Sequence, residues 1–179
     1  MATVVAGTDA AASGDAAWMQ LHALRERARA DRAGALSTLR ELFASGRASA
    51  GIDGPAEGRF VAFTVQPAAD RALGALAGLW MPWSGKRFDA AAGSGENLLL
   101  NARLSALGFA TRVEPAALDP AREVLVIDYA AVPSNRWVGM SRVRDELVEI
   151  APGVHLGQAL WRRAGGRHTR IAWWALRAS

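Results

Sequence analysis

The sequence predicts an α+β fold in which an N-terminal helical segment packs on a mainly antiparallel, partly closed β-sheet. Three observations predict it. Apolar residues recur at helical spacing early in the chain, at Trp18, Leu21, Leu24 and Ala28. From Phe109 onward, β-branched and aromatic residues run in short segments separated by Pro, Gly and Asn. The separators Pro152-Gly153 and Gly165-Gly166 are too short for a parallel crossover, which needs about a dozen residues, so the strands they join run antiparallel.

Taken in order, residues 1–14 are small and polar and read as a disordered tail, leaving 15–179 as a single domain. Within it, 15–45 is the helical segment and 59–179 is mainly β. Asp15 stands where an N-cap would, and Leu36, Leu39, Leu42 and Phe43 continue the apolar stripe to a stop at Ser45-Gly46. Asp31 is a second cap candidate, which leaves open one kinked helix or two. The run Arg25-Glu26-Arg27-Ala28-Arg29 lies on the opposite, solvated face. Glycines and a proline between 46 and 58 make a loop, and Arg59 to Val65 alternates as a first strand. Ala68 to Leu79 has helical leucine spacing and leads into Gly78 to Asp89, the segment densest in aromatic rings, backbone breakers and mixed charge. Asn97 to Asn101 is a strand or a helix end. Strands follow at 109–114, 123–129, 142–150, 154–163 and 169–177. In the last of these Ile171, Trp173 and Ala175 alternate with Ala172, Trp174 and Leu176, so both faces are apolar, one suited to helices and the other to a barrel interior.

Composition narrows the function classes. The chain has 179 residues, 51% of them hydrophobic with 7 tryptophans, enough for one ordinary core. The formal net charge of +4 comes from arginines scattered between Arg25 and Arg177, without a stripe that would follow a phosphate backbone. Trp161-Arg162-Arg163 with Arg167 and Arg170 is the one basic and aromatic cluster, on a hairpin tip, and we expect no nucleic-acid partner. There is no cysteine and no basic leader at Met1, and the longest apolar stretch, Leu73 to Trp83, is about half of the roughly 20 residues that span a bilayer. A cytoplasmic protein with no membrane span is the expectation.

Trp83-Ser84-Gly85-Lys86-Arg87-Phe88-Asp89 resembles the W-x-G-K-x-F-D segment of small actinobacterial proteins of unassigned function, remotely similar to the GXWXG, calycin-like (lipocalin-like) family. Ile127-Asp128-Tyr129, Pro133-Ser134-Asn135 and the stretch 144–160 extend the resemblance over roughly residues 78–163. It implies a calycin-like β-barrel, short or incomplete because only 99 residues follow Trp80.

For such a barrel the candidate ligand-binding residues are Trp80, Trp83, Lys86, Arg87, Phe88, Tyr129, His155 and Trp161. Trp80 and Trp83 are suited to closing one end of a cavity, or simply to plugging it. Lys86 and Arg87 alternate, so one points inward; the expected inward group is Lys86, the only lysine in the chain, meeting an anionic ligand head. His155 is a candidate metal or haem ligand, although a lone histidine is more often a hydrogen-bonded core residue, and with His22 and His168 it makes no metal-site spacing. We expect no metal and no cofactor. Asp128, Tyr129, Asp145 and Glu146 are the best candidates for catalysis; Asp145-Glu146 puts one carboxylate on each face of a strand, the inward one needing a partner such as Arg142 or Arg144. The function predicted is non-enzymatic binding of a lipophilic small molecule with an acidic head. The alternatives are an enzyme using Tyr129, Asp128 or His155, or an interaction module without a pocket. A homodimer is left open.

Overall fold

The structure, a computed structural model, describes residues 3–49, 51–64 and 83–178. The helix expected over 68–79, and the stretch 78–82 with Trp80, lie outside the described residues. Among those described are two α-helices and nine strands: α1 (Thr3–Ala30), α2 (Arg32–Ser45), β1 (Arg47–Ala48), β2 (Gly54–Phe63), β3 (Trp83–Asp89), β4 (Ser94–Leu99), β5 (Leu104–Ala116), β6 (Asp119–Asp128), β7 (Val143–Ala151), β8 (Val154–Arg162) and β9 (His168–Ala178).

The helical segment is two helices because Asp31 leaves helical geometry, at φ −130°, while its carboxylate accepts from the Gly34 N–H at 2.9 Å. The expected tail is corrected: α1 already begins at Thr3, and Asp15 lies inside it, paired with Arg177 instead of capping. The alanine-rich run from 10 to 17 has strong helix propensity. Gly14 supplies a reason to hold it down, since a Cβ there would come within 2.8 Å of the Pro152 carbonyl oxygen.

Strands β2 to β9 form an antiparallel up-and-down sheet in which each pairs with the next and β9 returns to β2, closing an eight-stranded barrel; β1 adds to β7 as an extra strand. Closure is complete where the sequence led us to expect a partial barrel. Counting strands only from Trp80 had omitted β2, which lies ahead of the central segment and supplies the closing pair. The hairpins expected at Pro152-Gly153 and Gly165-Gly166 join β7 to β8 and β8 to β9.

Two cores follow from the alternation of side chains across the barrel wall. Outside, Trp18, Leu21 and Leu24 of α1 and Ala35, Leu36, Leu39 and Phe43 of α2 pack on outward-facing Val61, Val124, Val126, Val148, Leu156, Trp173 and Ala175. Inside, Phe88, Phe109, Ile127, Leu147, Trp174 and Leu176 fill the barrel, with Ile52 of the β1–β2 connection joining them at one end. The two apolar faces of β9 thus serve the two purposes expected. Ile171 departs from that pattern. A register shift between β8 and β9 at Ala159/Leu160 leaves it without a partner on β8, and it joins Ala172 on the inner cluster. No helix among the described residues is long and apolar enough to cross a membrane.

Candidate functional site

The end of the barrel where β2 finishes and β3 begins contains a cavity of about 230 Å³. Its apolar lining includes Phe60, Phe63, Trp83, Met140, Val143, Ile171 and Trp174; its polar lining, among the described residues, is Lys86, Asn97, Tyr129 and Asp145. At the other end Ile52, Ser49 and His155 are buried, so the interior there is filled.

Local irregularities put these side chains together. Trp83 and Lys86 are three residues apart and would face opposite sides of a regular strand, yet both line the cavity. A register shift between Trp83 and Gly85 against β4 absorbs the extra residue. Gly85 takes φ +150°, and a Cβ on it would sit 2.0 Å from the Ala56 carbonyl oxygen, so the close approach of β2 and β3 depends on glycine. Gly58 opposite is covered by the Trp83 ring, 2.5 Å from where a Cβ would stand. On β5 Leu107 has φ +56°, and its carbonyl accepts from Asn97 Nδ2 at 3.0 Å. That bond orients the amide so that Asn97 Oδ1 accepts from Lys86 Nζ at 2.9 Å and from Trp83 Nε1 at 3.1 Å.

Lys86 is 2% exposed. Its Nζ donates to the Tyr129 hydroxyl and lies 3.2 Å from Asp145 Oδ2, while the Tyr129 hydroxyl donates to the same carboxylate oxygen at 3.1 Å. Among the described residues, four aromatic rings surround the ammonium, with centroids at 5.0 Å for Trp174, 5.1 Å for Phe109 and Tyr129, and 5.7 Å for Trp83. Burial pushes the Lys86 ammonium below the ordinary lysine value, against the pull of Asp145. Burial likewise pushes the Asp145 carboxyl up, against Lys86. Both shifts favour uncharged forms, so the ion pair and the neutral amine–acid pair lie closer in energy than they would in water. Tyr129 is held well above the usual phenol range by burial and by the nearby Asp145 charge, and it stays a neutral hydroxyl. The indole N–H of Trp174, another lining residue, is buried and has no acceptor among the described residues.

Of the residues predicted for the site, Trp83, Lys86 and Tyr129 line the cavity. Arg87 does not: alternation turns it outward, where it pairs with Glu96 at 3.1 Å. Phe88 is inside but stacked edge-on with Phe109 in the filled layer. His155 faces inward four residues from Ala159 along β8, about 13 Å away at 3.3 Å per residue. There its Nδ1 shares a 2.9 Å hydrogen bond with Ser49 Oγ, a core histidine with a polar partner. Trp161 is half-buried beneath Arg142. Trp80 is outside the described residues. Asp128, Tyr129 and His155 do not converge as an enzyme site would require, because Asp128 faces outward to Arg112 at 3.1 Å and caps the Ala130 N–H.

Asp145 and Glu146 do divide between the faces as alternation required, but the inward partner is Lys86, not an arginine. Glu146 is buried on the outer face, held by Arg144 at 2.8 Å, the Ala117 N–H at 2.7 Å and Gln158 at 2.7 Å. Asn97 went unrecognised as a site residue; its place between a buried leucine run and Glu96 on a strand paired with Lys86 was the available signal.

No family model and no curated protein matches the chain. Among solved structures, the crystal structure of a protein from Thermomonospora curvata is similar over 80% of this chain and 86% of its own, with 20% sequence identity and a TM-score of 0.49.

Proposed function

We propose that the barrel binds a compact lipophilic small molecule, its apolar body against Phe60, Phe63, Ile171 and Trp174 and its polar end at Lys86, Asp145, Tyr129 and Asn97. The observation that carries this reading is the cavity lining, which is apolar except for a single hydrogen-bonded cluster of polar side chains among the described residues. Eight-stranded barrels have interiors wide enough for one small ligand, and the resemblance of the 83–89 segment to calycin-like proteins points the same way. At about 230 Å³ the cavity falls just under the roughly 300 to 1,000 Å³ of ordinary ligand pockets, which favours a short or single-ring molecule over a long acyl chain.

The head group we propose is neutral, in place of the acidic one expected from an unpaired lysine. Lys86 already has Asp145 at 3.2 Å, and a second carboxylate would meet that charge in a dry site. A carbonyl or hydroxyl oxygen instead accepts from the Trp174 indole N–H, the lining donor that has no acceptor among the described residues.

Titration with nonan-2-one, nonan-1-ol and nonanoate tests this, read by tryptophan emission and by the thermal midpoint. The two neutral ligands should shift both signals and nonanoate should bind more weakly. Ala159→Phe, which fills the cavity, should abolish the response. Silence from all three ligands in the folded protein would remove the binding function.

A further inference from the structure

Lys86 is placed where a lysine is costly and an arginine would serve better as a fixed charge. The chain uses arginine at every other cationic position, yet keeps its single lysine inside the barrel. An arginine stays protonated in any protein environment, whereas a desolvated lysine can release its proton and become a nucleophile. Lys86 lines the cavity, its Nζ within hydrogen-bonding reach of a carboxylate and a phenol that also touch each other. A buried ion pair contributes little stability compared with apolar side chains of the same volume, so packing alone does not account for it.

We propose that Lys86 captures a carbonyl ligand covalently, as a reversible Schiff base formed inside the barrel, an inference that rests on the cavity reading above and specifies the ligand as an aldehyde or ketone. Asp145 takes a proton from the Lys86 ammonium. The nitrogen lone pair of the resulting amine adds to the carbonyl carbon, the C–N bond forms as the C–O π bond opens, and the oxygen takes a second proton from nitrogen to give a carbinolamine. Asp145 returns its proton through the Tyr129 hydroxyl to the carbinolamine oxygen, the C–O bond breaks, and water leaves. What remains is an iminium with one hydrogen on nitrogen and one positive charge, facing the restored Asp145 carboxylate; three protons on the starting ammonium have become one on nitrogen and two in water. No oxidant or metal enters the balance. The four rings around Nζ favour the cation at the end as they did at the start.

Incubation of the full chain with nonanal and sodium cyanoborohydride at neutral pH, followed by intact mass and peptide mapping, tests the proposal. The expected product is one adduct with the mass of nonanal less one oxygen, on the peptide carrying Lys86. The α-amino group of the expressed chain is the internal reference and should label more slowly. Tyr129→Phe keeps the ring and the Lys86–Asp145 pair but removes the proton relay, and should slow trapping about 100-fold at an unchanged thermal midpoint. Labelling confined to the α-amino group while nonan-1-ol still binds would overturn the covalent step and leave the cavity reading standing. Absence of both the Lys86 adduct and nonan-1-ol binding would overturn the two together.

Discussion

At the scale of single residues, the interior holds, among the described residues, two polar pairs with different consequences. Lys86 and Asp145 meet in the cavity, whereas His155 and Ser49 meet at the filled end. Burial lowers the His155 value from the ordinary histidine range, with Glu149 opposing. A group whose folded value is depressed supports the native state above its unfolded value and loses that support as pH falls through the folded one. The wild-type protein should therefore lose stability as pH drops below about 6.5 toward the depressed value of His155. His168 shifts in the same direction, so the diagnostic is a comparison of urea midpoints at pH 7.5 and 5.5 between wild type and His155→Gln. The variant should show the shallower fall. Equal slopes would mean that His155 is solvated enough to protonate in place. Alternation turned one of Lys86 and Arg87, and one of Asp145 and Glu146, inward from sequence, but the pairing of Lys86 with Asp145 joins β3 to β7 across the barrel interior and could not be read from either segment alone.

At the scale of elements, strand runs were legible wherever β-branched and aromatic residues gathered between breakers, and the structure lengthens them more than it moves them. Bulges were not legible. The register shift at Trp83/Gly85 puts Trp83 and Lys86 in the same cavity, and it depends on a glycine with no room for a side chain. Gly85→Ala should cost more than about 2 kcal/mol, since it adds a backbone collision to a φ that L-residues rarely adopt. Gly108→Ala is the control: its Cβ would meet nothing nearer than 3.6 Å, and the change should stay within about 0.5 kcal/mol. Chemical denaturation of both variants reads the difference, and similar small losses in the two would show that β2 and β3 can separate without harm. The N-terminal helix shows the opposite failure of sequence reading. Small residues at 3–14 looked like a tail because they carry no apolar stripe, yet alanine propensity and docking beside the β7–β8 turn keep them helical.

For the whole molecule, the barrel wall separates two cores, and the helices cover the outer one. Trp173 stands at their junction, fully buried and edge-on to Phe43 at 5.6 Å. Trp173→Ala should destabilise the protein by roughly 3 to 5 kcal/mol, whereas Trp137→Ala, at a ring 85% exposed, should change stability by less than about 0.5 kcal/mol. Urea unfolding followed by circular dichroism separates them. A loss below about 1 kcal/mol for Trp173 would mean that the helices lie on the barrel without bracing it.

Sequence alone determined the helix-then-strand order, the antiparallel hairpins, the two apolar faces of β9 and the division of Lys86 and Arg87 between opposite faces, because each follows from periodicity and turn chemistry within a few consecutive residues. Barrel closure, the bulges beside Trp83 and Ile171, the choice of Asp145 as the partner of Lys86, and the retreat of His155, Phe88 and Arg87 from the cavity arise only in three dimensions. They depend on which strands become neighbours and in what register. A one-residue slip in register reverses every side chain beyond it, and no local pattern records a contact between residues 59 positions apart such as Lys86 and Asp145.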